Sequence, residues 1–454
     1  MPKIVDQSPS PKSHIKTLMR IGYTLNSAVA DVIDNSLSAE AQNIVVYAPP
    51  GEAEPFISIA DDGNGMTADE LTENMRIGCK DPDVERQEGD LGRFGSGMKT
   101  ASFSQARKLT VVTKKTGHAL TAASWDIDRV EETNSWCLEV YDENEVLNIS
   151  GLSEDLLEGS GTQIIWSKLT FLEKGSHVEN HDSELASRLA ELDSYLALHF
   201  HRFMVGANRR TFRLNNAVIK PIDPFMIGES GYQEGPSEKL RCKGGHIFIR
   251  THVLPHFKKM NPLKLKALGG AEGVAEKQGL YIYREKRLIN AGGWLGMSRN
   301  SQLGALARIQ VDIPAALDND WSTDVKKASL QMPPRVKKQL RKFLADPVKR
   351  SKRIYNYKGQ EESANGFWKI LEDETTKKIT YQIDADNDSL IELARKCSAD
   401  ERRILRDYLK QLSMNLPINH IYKKMSERPR DVSQDEVDMA ILENILGKVF
   451  DSEI

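Results

Sequence analysis

Three stretches of this chain set carboxylates, a carboxamide and glycines at spacings that suit phosphate and base recognition. In DVIDNSLSA, Asp31 and Asn35 stand one helical turn apart, so a helix would carry both on one face while Leu25, Val29, Val32, Ile33 and Leu37 point the other way. A solvated helix face has the same pattern. In Asp61-Asp62-Gly63-Asn64-Gly65, a carboxylate ends a strand-like run where the backbone must turn. Gly63 and Gly65 permit close backbone approach and positive φ, so a flat ligand could lie against the main chain beside Asp61. A buried carboxylate there accepts from an adenine amine but meets a guanine carbonyl acceptor to acceptor, which is a means of choosing ATP over GTP. A hairpin turn or a calcium loop is the competing reading, although the later Glu of an EF-hand is absent. In Gly92-Arg93-Phe94-Gly95-Ser96-Gly97-Met98-Lys99, glycine amides precede a helix-compatible run and make an anion site, to which Lys99 adds a point charge. The spacing is not that of a Walker A loop, and a flexible hinge is the plainer alternative.

The surrounding patterns indicate what would position these residues. Apolar residues at three- and four-residue spacing predict a helix from about 14 to 41. Strand-like NIVVYA and FISIAD follow it, and then TADELTENMRIG, where Thr67 and Glu70 make a capping-box pattern. The polar run CKDPDVERQEGD reads as a loop. After it come the strand-like KLTVVTKK, TAASWDI, WCLEVY and, following Gly161-Thr162, QIIWSKL. A helical stretch over 183–203 leads to further β-rich patterns, HIFIRTHVL, GLYIYREKRLI and ARIQVDIPA, and the last 90 or so residues read as charged and helical. The expected fold class is α+β: a domain over 1–190 with a loop at about 79–91, an α/β domain over 191–345, and a basic, then helical region over 346–454.

In this order and spacing the motifs resemble the GHKL superfamily of ATPases, named for gyrase, the ninety-kilodalton heat-shock chaperones, histidine kinases and MutL. AVADVIDNSLSA resembles the N box, and DDGNGM, GRFGSGMKTAS and GSGT resemble the three glycine boxes. The resemblance covers about residues 10–170. It implies the Bergerat fold, a mixed sheet backed by helices, with ATP between them and the 79–91 loop closing as a lid. It also implies roles: Asn35 as the Mg²⁺ ligand, Asp61 as the adenine acceptor, and Gly63, Gly65 and Met66 as the adenine-facing turn. Gly92 through Lys99, including Arg93, Phe94, Gly95, Ser96, Gly97 and Met98, would hold phosphates, with Thr162 beside Asp61. Asp31 stands where the family's general base is normally Glu. Being one methylene shorter, it must orient water through a closer helix or a second water, so slow hydrolysis is expected.

Downstream, GLYIYREKRLINAGGW and WSTDVKKASLQMPP resemble the transducer domain of the MORC, MutL and type II topoisomerase branches. The resemblance implies that Lys326 or Lys327 reaches the γ-phosphate, stabilising charge on the transferred group. From Pro334 to Gln360, ten Lys/Arg stand against one acidic residue. Lys337, Lys338, Arg341, Lys342, Lys349, Arg350, Lys352 and Arg353 could neutralise DNA phosphates without regard to sequence, or form a charged helical face.

Composition narrows the classes further. With 454 residues and 39% hydrophobic content the chain can bury more than one core, and its net charge of -3 gives no global attraction to polyanions. Four scattered cysteines make no zinc ribbon, redox pair or disulfide framework, which fits a reducing cytoplasm. No segment reads as a signal peptide or membrane span, so no membrane partner is expected. The histidines lack accompanying ligands, and Mg²⁺ is the expected metal. The favoured reading is an ATP-dependent homodimeric clamp on DNA, resembling prokaryotic MORC-like ATPases and implying restriction or antiphage defence beside a separately encoded effector protein. The alternatives are a heat-shock-type chaperone and a slowly hydrolysing nucleotide-sensing scaffold.

Overall fold

A computed structural model of the chain describes residues 9–78, 97–153, 159–173, 181–242, 245–301, 304–317, 332–356, 367–372, 379–384 and 387–418. They fall into two compact units that divide between Val348 and Lys349, with Ser301–Gly304 assigned to the second.

The first unit begins with two helices where the apolar spacing predicts one. Helix α1 (Pro11–Met19) and α2 (Leu25–Ser38) are separated at Gly22, whose φ of 78° is left-handed. Thr24 then restarts the helix, accepting from the Ser27 amide while the Ser27 hydroxyl oxygen accepts from the Thr24 amide. The capping box at Thr67 and Glu70 forms as the sequence predicts and opens α3 (Ala68–Met75).

An eight-stranded mixed sheet carries this part of the unit, in the order β5-β4-β3-β6-β2-β1-β7-β8. Its strands are β1 (Asn43–Tyr47), β2 (Ile57–Asp61), β3 (Ala106–Lys114), β4 (Thr121–Asp126), β5 (Glu139–Tyr141), β6 (Gly161–Leu169), β7 (Thr211–Leu214) and β8 (Ala217–Val218). The β1–β7 pair is parallel and the others are antiparallel. Alternation along the strands turns Ile44, Val46, Ile57, Ile59, Leu109, Val111, Ile164 and Trp166 toward one layer of helices. That layer includes α2, α4 (Gly97–Gln105) and the helix His181–His199. Because α2 is enclosed by the sheet and both helices, it is buried on nearly every side, including Asp31, Asp34 and Ser36. The two-faced helix expected from the sequence is therefore a core helix with polar residues turned inward.

A second, five-stranded sheet belongs to the same unit, in the order β12-β11-β13-β10-β9. It comprises β9 (Gln233–Cys242), β10 (Gly245–Val253), β11 (Gly279–Arg284), β12 (Arg287–Ala291) and β13 (Ala307–Ile313). GLYIYREKRLI, read as one β-rich run, is a hairpin turning at Glu285 and Lys286, both at positive φ. The helix Pro334–Leu340 covers one face of this sheet with Val336 and Leu340. The second unit holds a hairpin, β14 (Trp368–Glu372) with β15 (Ile379–Ile383), followed by the helices Asp388–Lys396 and Ala399–Met414. The hairpin adds strands to a region that reads as helical in sequence. Among the described residues no helix is long and apolar enough to cross a membrane.

Candidate functional site

The strand-to-turn boundary at Asp61 is built by close packing. Asp61 is half-buried at the end of β2, directly opposite Thr162 of β6. Its Oδ2 accepts from the Ser36 hydroxyl at 2.7 Å and its Oδ1 from the Gly63 amide at 2.9 Å. Burial pushes this carboxyl above its ordinary value; hydrogen bonds from Ser36 and from the Gly63 and Thr162 backbone oppose the rise, and the neighbouring Asp62 charge adds to it. All its named donors are neutral, so no cation compensates a charge on this carboxyl.

The two glycines of the turn are required for different reasons. Gly65 has φ of 66°, and a β-carbon there would stand 1.9 Å from the Lys114 carbonyl oxygen. Gly63 is not left-handed; a β-carbon there would meet the Ala39 carbonyl oxygen at 2.8 Å and Asp61 Oδ1 at 2.9 Å. The turn is thus pressed against the C-terminal end of α2 on one side and the end of β3 on the other. Thr113, fully buried on β3, fixes the next residue: its Oγ1 accepts from the Met66 amide at 2.9 Å, donates to the Gly161 carbonyl at 2.9 Å and lies 3.0 Å from Thr162 Oγ1. The first and third glycine motifs meet through this one hydroxyl. The calcium-loop reading fails at Asp62, whose carboxylate is occupied by the Gln42 and Asn43 amides and the Asn43 side chain.

On α2, Asp31 and Asn35 diverge in environment. Asp31 is 8% exposed and its Oδ2 accepts from the Tyr23 hydroxyl at 2.9 Å, whereas Asn35 is exposed. Asp31 also faces the start of α4, since a β-carbon on Gly97 would lie 3.7 Å from Oδ2. The first and second motifs therefore converge at the N-terminal end of a nine-residue helix, where backbone N–H groups are left without intrahelical partners. Lys99 in the same helix is buried and its Nζ donates to the Asn74 carbonyl at 2.6 Å. Met98 packs against the core. Gly92, Arg93, Phe94, Gly95 and Ser96, together with the 79–91 loop, lie outside the described residues, as do Lys326 and Lys327.

Of the basic candidates, Lys338, Arg341 and Lys342 are exposed and Lys337 is half-buried in and beside the helix Pro334–Leu340. In the second unit Lys349 is exposed and Arg350 half-buried, and Lys352 and Arg353 continue their helix.

Sequence reasoning missed Tyr23, Ser36 and Thr113, each of which holds an expected residue in place. Their hydroxyls carry no spacing signal. Ser36 alone had a local clue, since it follows Asn35 in a helix that is otherwise apolar around it.

The residues suit adenine and Mg²⁺. The turn is held so closely against α2 and β3 that only glycine fits at 63 and 65, and it fixes Asp61 as a hydrogen-bond acceptor at the strand end. Among the described residues no group of three or more His, Cys, Asp or Glu could hold a metal by itself. A single amide oxygen from Asn35 accords with Mg²⁺, which takes few protein ligands and the rest from phosphates and water.

Comparison with known proteins points the same way. Residues 23–159 match the family model for histidine kinase-, DNA gyrase B-, and HSP90-like ATPases. A 91-residue stretch is 32% identical to ATPase morc-1 of Caenorhabditis elegans, covering 20% of this chain and 10% of that protein. A 106-residue stretch is 32% identical to the chaperone protein HtpG of Clostridium perfringens, covering 22% of this chain and 17% of that protein. The chain thus spans under a fifth of the length of either relative.

Proposed function

We propose that this chain, whose residues 23–159 match the family of histidine kinase-, DNA gyrase B-, and HSP90-like ATPases, is a GHKL ATPase that hydrolyses Mg-ATP slowly and acts as a nucleotide-gated dimeric clamp on DNA. The observation that carries the nucleotide reading is Asp61: a half-buried carboxylate with neutral donors at the end of β2, held in place by a glycine turn packed closely against α2 and β3. Asp61 accepts the exocyclic amine of adenine, and Thr113 and Thr162 hold the neighbouring strand ends. Asn35 holds Mg²⁺, which supplies positive charge against the phosphates. Asp31, held by Tyr23, orients the attacking water and takes its proton. The shorter side chain limits how well it does so, which is why turnover is slow. The glycine motif at 92–99 binds phosphate, with Lys326 or Lys327 contributing charge from the later segment.

Exposed Lys338, Arg341 and Lys342 support DNA contact, because such side chains release counterions from phosphates irrespective of sequence. The HtpG match favours a second reading, a clamp on protein clients. ATP turnover and particle mass, measured with ATP, ADP and a nonhydrolysable analogue, each with and without DNA, separate the two. The DNA clamp predicts a doubling of mass with ATP or the analogue and turnover stimulated by DNA at low salt. A mass indifferent to nucleotide removes the clamp, and turnover stimulated by unfolded protein but not DNA favours the chaperone. Asp31→Asn is expected to keep ATP binding and lose turnover; unchanged hydrolysis would assign the base elsewhere.

A further inference from the structure

Asp34 lies between Asp31 and Asn35 on α2 and carries none of the roles assigned within that motif, yet it is the most deeply buried of the helix's carboxylates, with a side chain 1% exposed. Its partner is Arg287, the first residue of β12, 253 positions away and 5% exposed, with Nε donating to Asp34 Oδ1 at 3.2 Å. The guanidinium is held on its other sides too. Nη1 donates to the Leu288 carbonyl at 2.7 Å, the Phe200 ring centre is 4.1 Å away, and the Tyr195 ring centre is 6.0 Å away. Tyr195 stacks on His199 at 3.8 Å, and burial drives His199 down to about 3, with Arg287 itself lowering it further. The groups facing Arg287 are thus the anionic Asp34, the more distant Asp31, Tyr195 and a neutral histidine.

A buried ion pair is an inefficient source of stability, because well-packed apolar side chains of similar size often do as well or better. Here its position is more telling than its energy. It ties the turn of helix that carries Asp31 and Asn35 to an edge strand of the second sheet, through a directional guanidinium contact that an apolar pair cannot reproduce. A helix is stiff over one turn, so displacement of β12 displaces Asn35, and anything that draws Asn35 toward a ligand pulls on β12.

We propose that Arg287 is a positioning residue of the nucleotide site: through Asp34 it fixes α2 against the second sheet, and by the same contact it passes nucleotide occupancy from Asn35 to β12. The proposal rests on the ATPase reading and adds a residue and a route to it.

The test uses the full chain with Arg287→Lys, Arg287→Met, Asp34→Leu and the double variant Arg287→Met/Asp34→Leu. Mg-ATP binding is measured by calorimetry, melting is followed by scanning calorimetry, and backbone hydrogen exchange is followed in 25–38 and 287–291. The double variant is expected to regain the melting temperature that each single apolar variant loses, since no unpaired charge is left buried. It is nevertheless expected to bind Mg-ATP about tenfold more weakly or worse, as displaced site residues do, and to lose any nucleotide-dependent change of exchange in β12. A double variant with unchanged affinity and unchanged nucleotide response in β12 overturns the proposal and leaves a purely structural pair. If the double variant does not fold, Arg287→Lys gives the same reading: the charge stays, the planar guanidinium that joins Asp34 to the Leu288 carbonyl is lost, and faster exchange in α2 with weaker Mg-ATP binding is expected. Should the wild type bind no adenine nucleotide, the ATPase reading fails by itself. The brace is then judged on α2 exchange in Arg287→Lys, where no change overturns it.

Discussion

Asp61 and Asp34 are two carboxylates withdrawn from water at different ends of one site, and the chain treats their charge in opposite ways. Asp61 receives a hydroxyl from Ser36 of α2 and an amide from Gly63 of its own turn, both neutral. Asp34 receives a guanidinium from the other sheet. The difference follows from what each must do. A carboxylate that reads a ligand has to remain an acceptor with lone pairs to spare, and a bound arginine would use them up. A carboxylate that only joins two elements must be neutralised, because burial without a cation is prohibitive. Asp61 is left under electrostatic tension, which burial expresses as a raised pKa, whereas the Asp34 pair is closed.

The largest expected effect lies on the closed side. Asp34→Ala strands Arg287 in the core and should cost about 3–5 kcal/mol of stability. Chemical denaturation of the purified variant measures it, and a loss under about 1 kcal/mol would mean that water reaches the guanidinium. Asp61→Asn should behave in the opposite manner. Removing an ionised acceptor weakens ATP by about 1.5–3 kcal/mol, roughly ten- to a hundredfold, while stability at neutral pH is unchanged or higher because an under-compensated charge has gone. Isothermal calorimetry and melting of the same sample check both halves. An Asn variant that binds ATP normally removes Asp61 from base recognition.

Gly63→Ala is smaller again. The new methyl meets Ala39 and Asp61 Oδ1 at contact distances that require a shift, so a loss of about 1–3 kcal/mol in stability is expected. The displaced Asp61 should also lower ATP affinity, whereas a stability loss with intact affinity would separate turn packing from ligand recognition.

How much of this was readable in the sequence depends on distance along the chain. Asp31 and Asn35 share a helix, and Asp61, Gly63 and Gly65 share a turn, so local spacing suffices to group them. Thr162 was placed beside Asp61 by motif resemblance, and the β2–β6 register puts it opposite. The Asp34–Arg287 pair could not be read because nothing local in REKRLI marks an arginine that will be buried; its exposure is decided by the helix His181–His199, which brings Phe200 and Tyr195 over it. The break at Gly22 was legible only in part, since the apolar spacing runs on through it, whereas its φ is set by where Tyr23 and Thr24 must go. The hairpin β14–β15 was hidden by charge: the segments flanking it are as polar as the helices that follow.

The smallest effect tests whether the open side depends on ionisation. Asp61 has its pKa raised by burial above 3.8, so the folded chain binds its proton more readily than the unfolded chain does. Its contribution to stability is therefore fully present below the unfolded value and is lost as pH rises through the folded one. ATP binding runs the other way, because the ionised carboxylate is the stronger acceptor for the adenine amine, and affinity should fall as pH drops through the folded pKa. Titrating ATP affinity and melting temperature from neutral pH downward on wild type and Asp61→Asn isolates the group. In the wild type, affinity falls with acid while the Asp61 share of stability rises. The Asn variant, which has nothing to titrate at this position, should show neither component. Equal pH slopes in the two proteins would assign the acid dependence to another group, and Asp61 would then belong with Asp34 as a structural carboxylate.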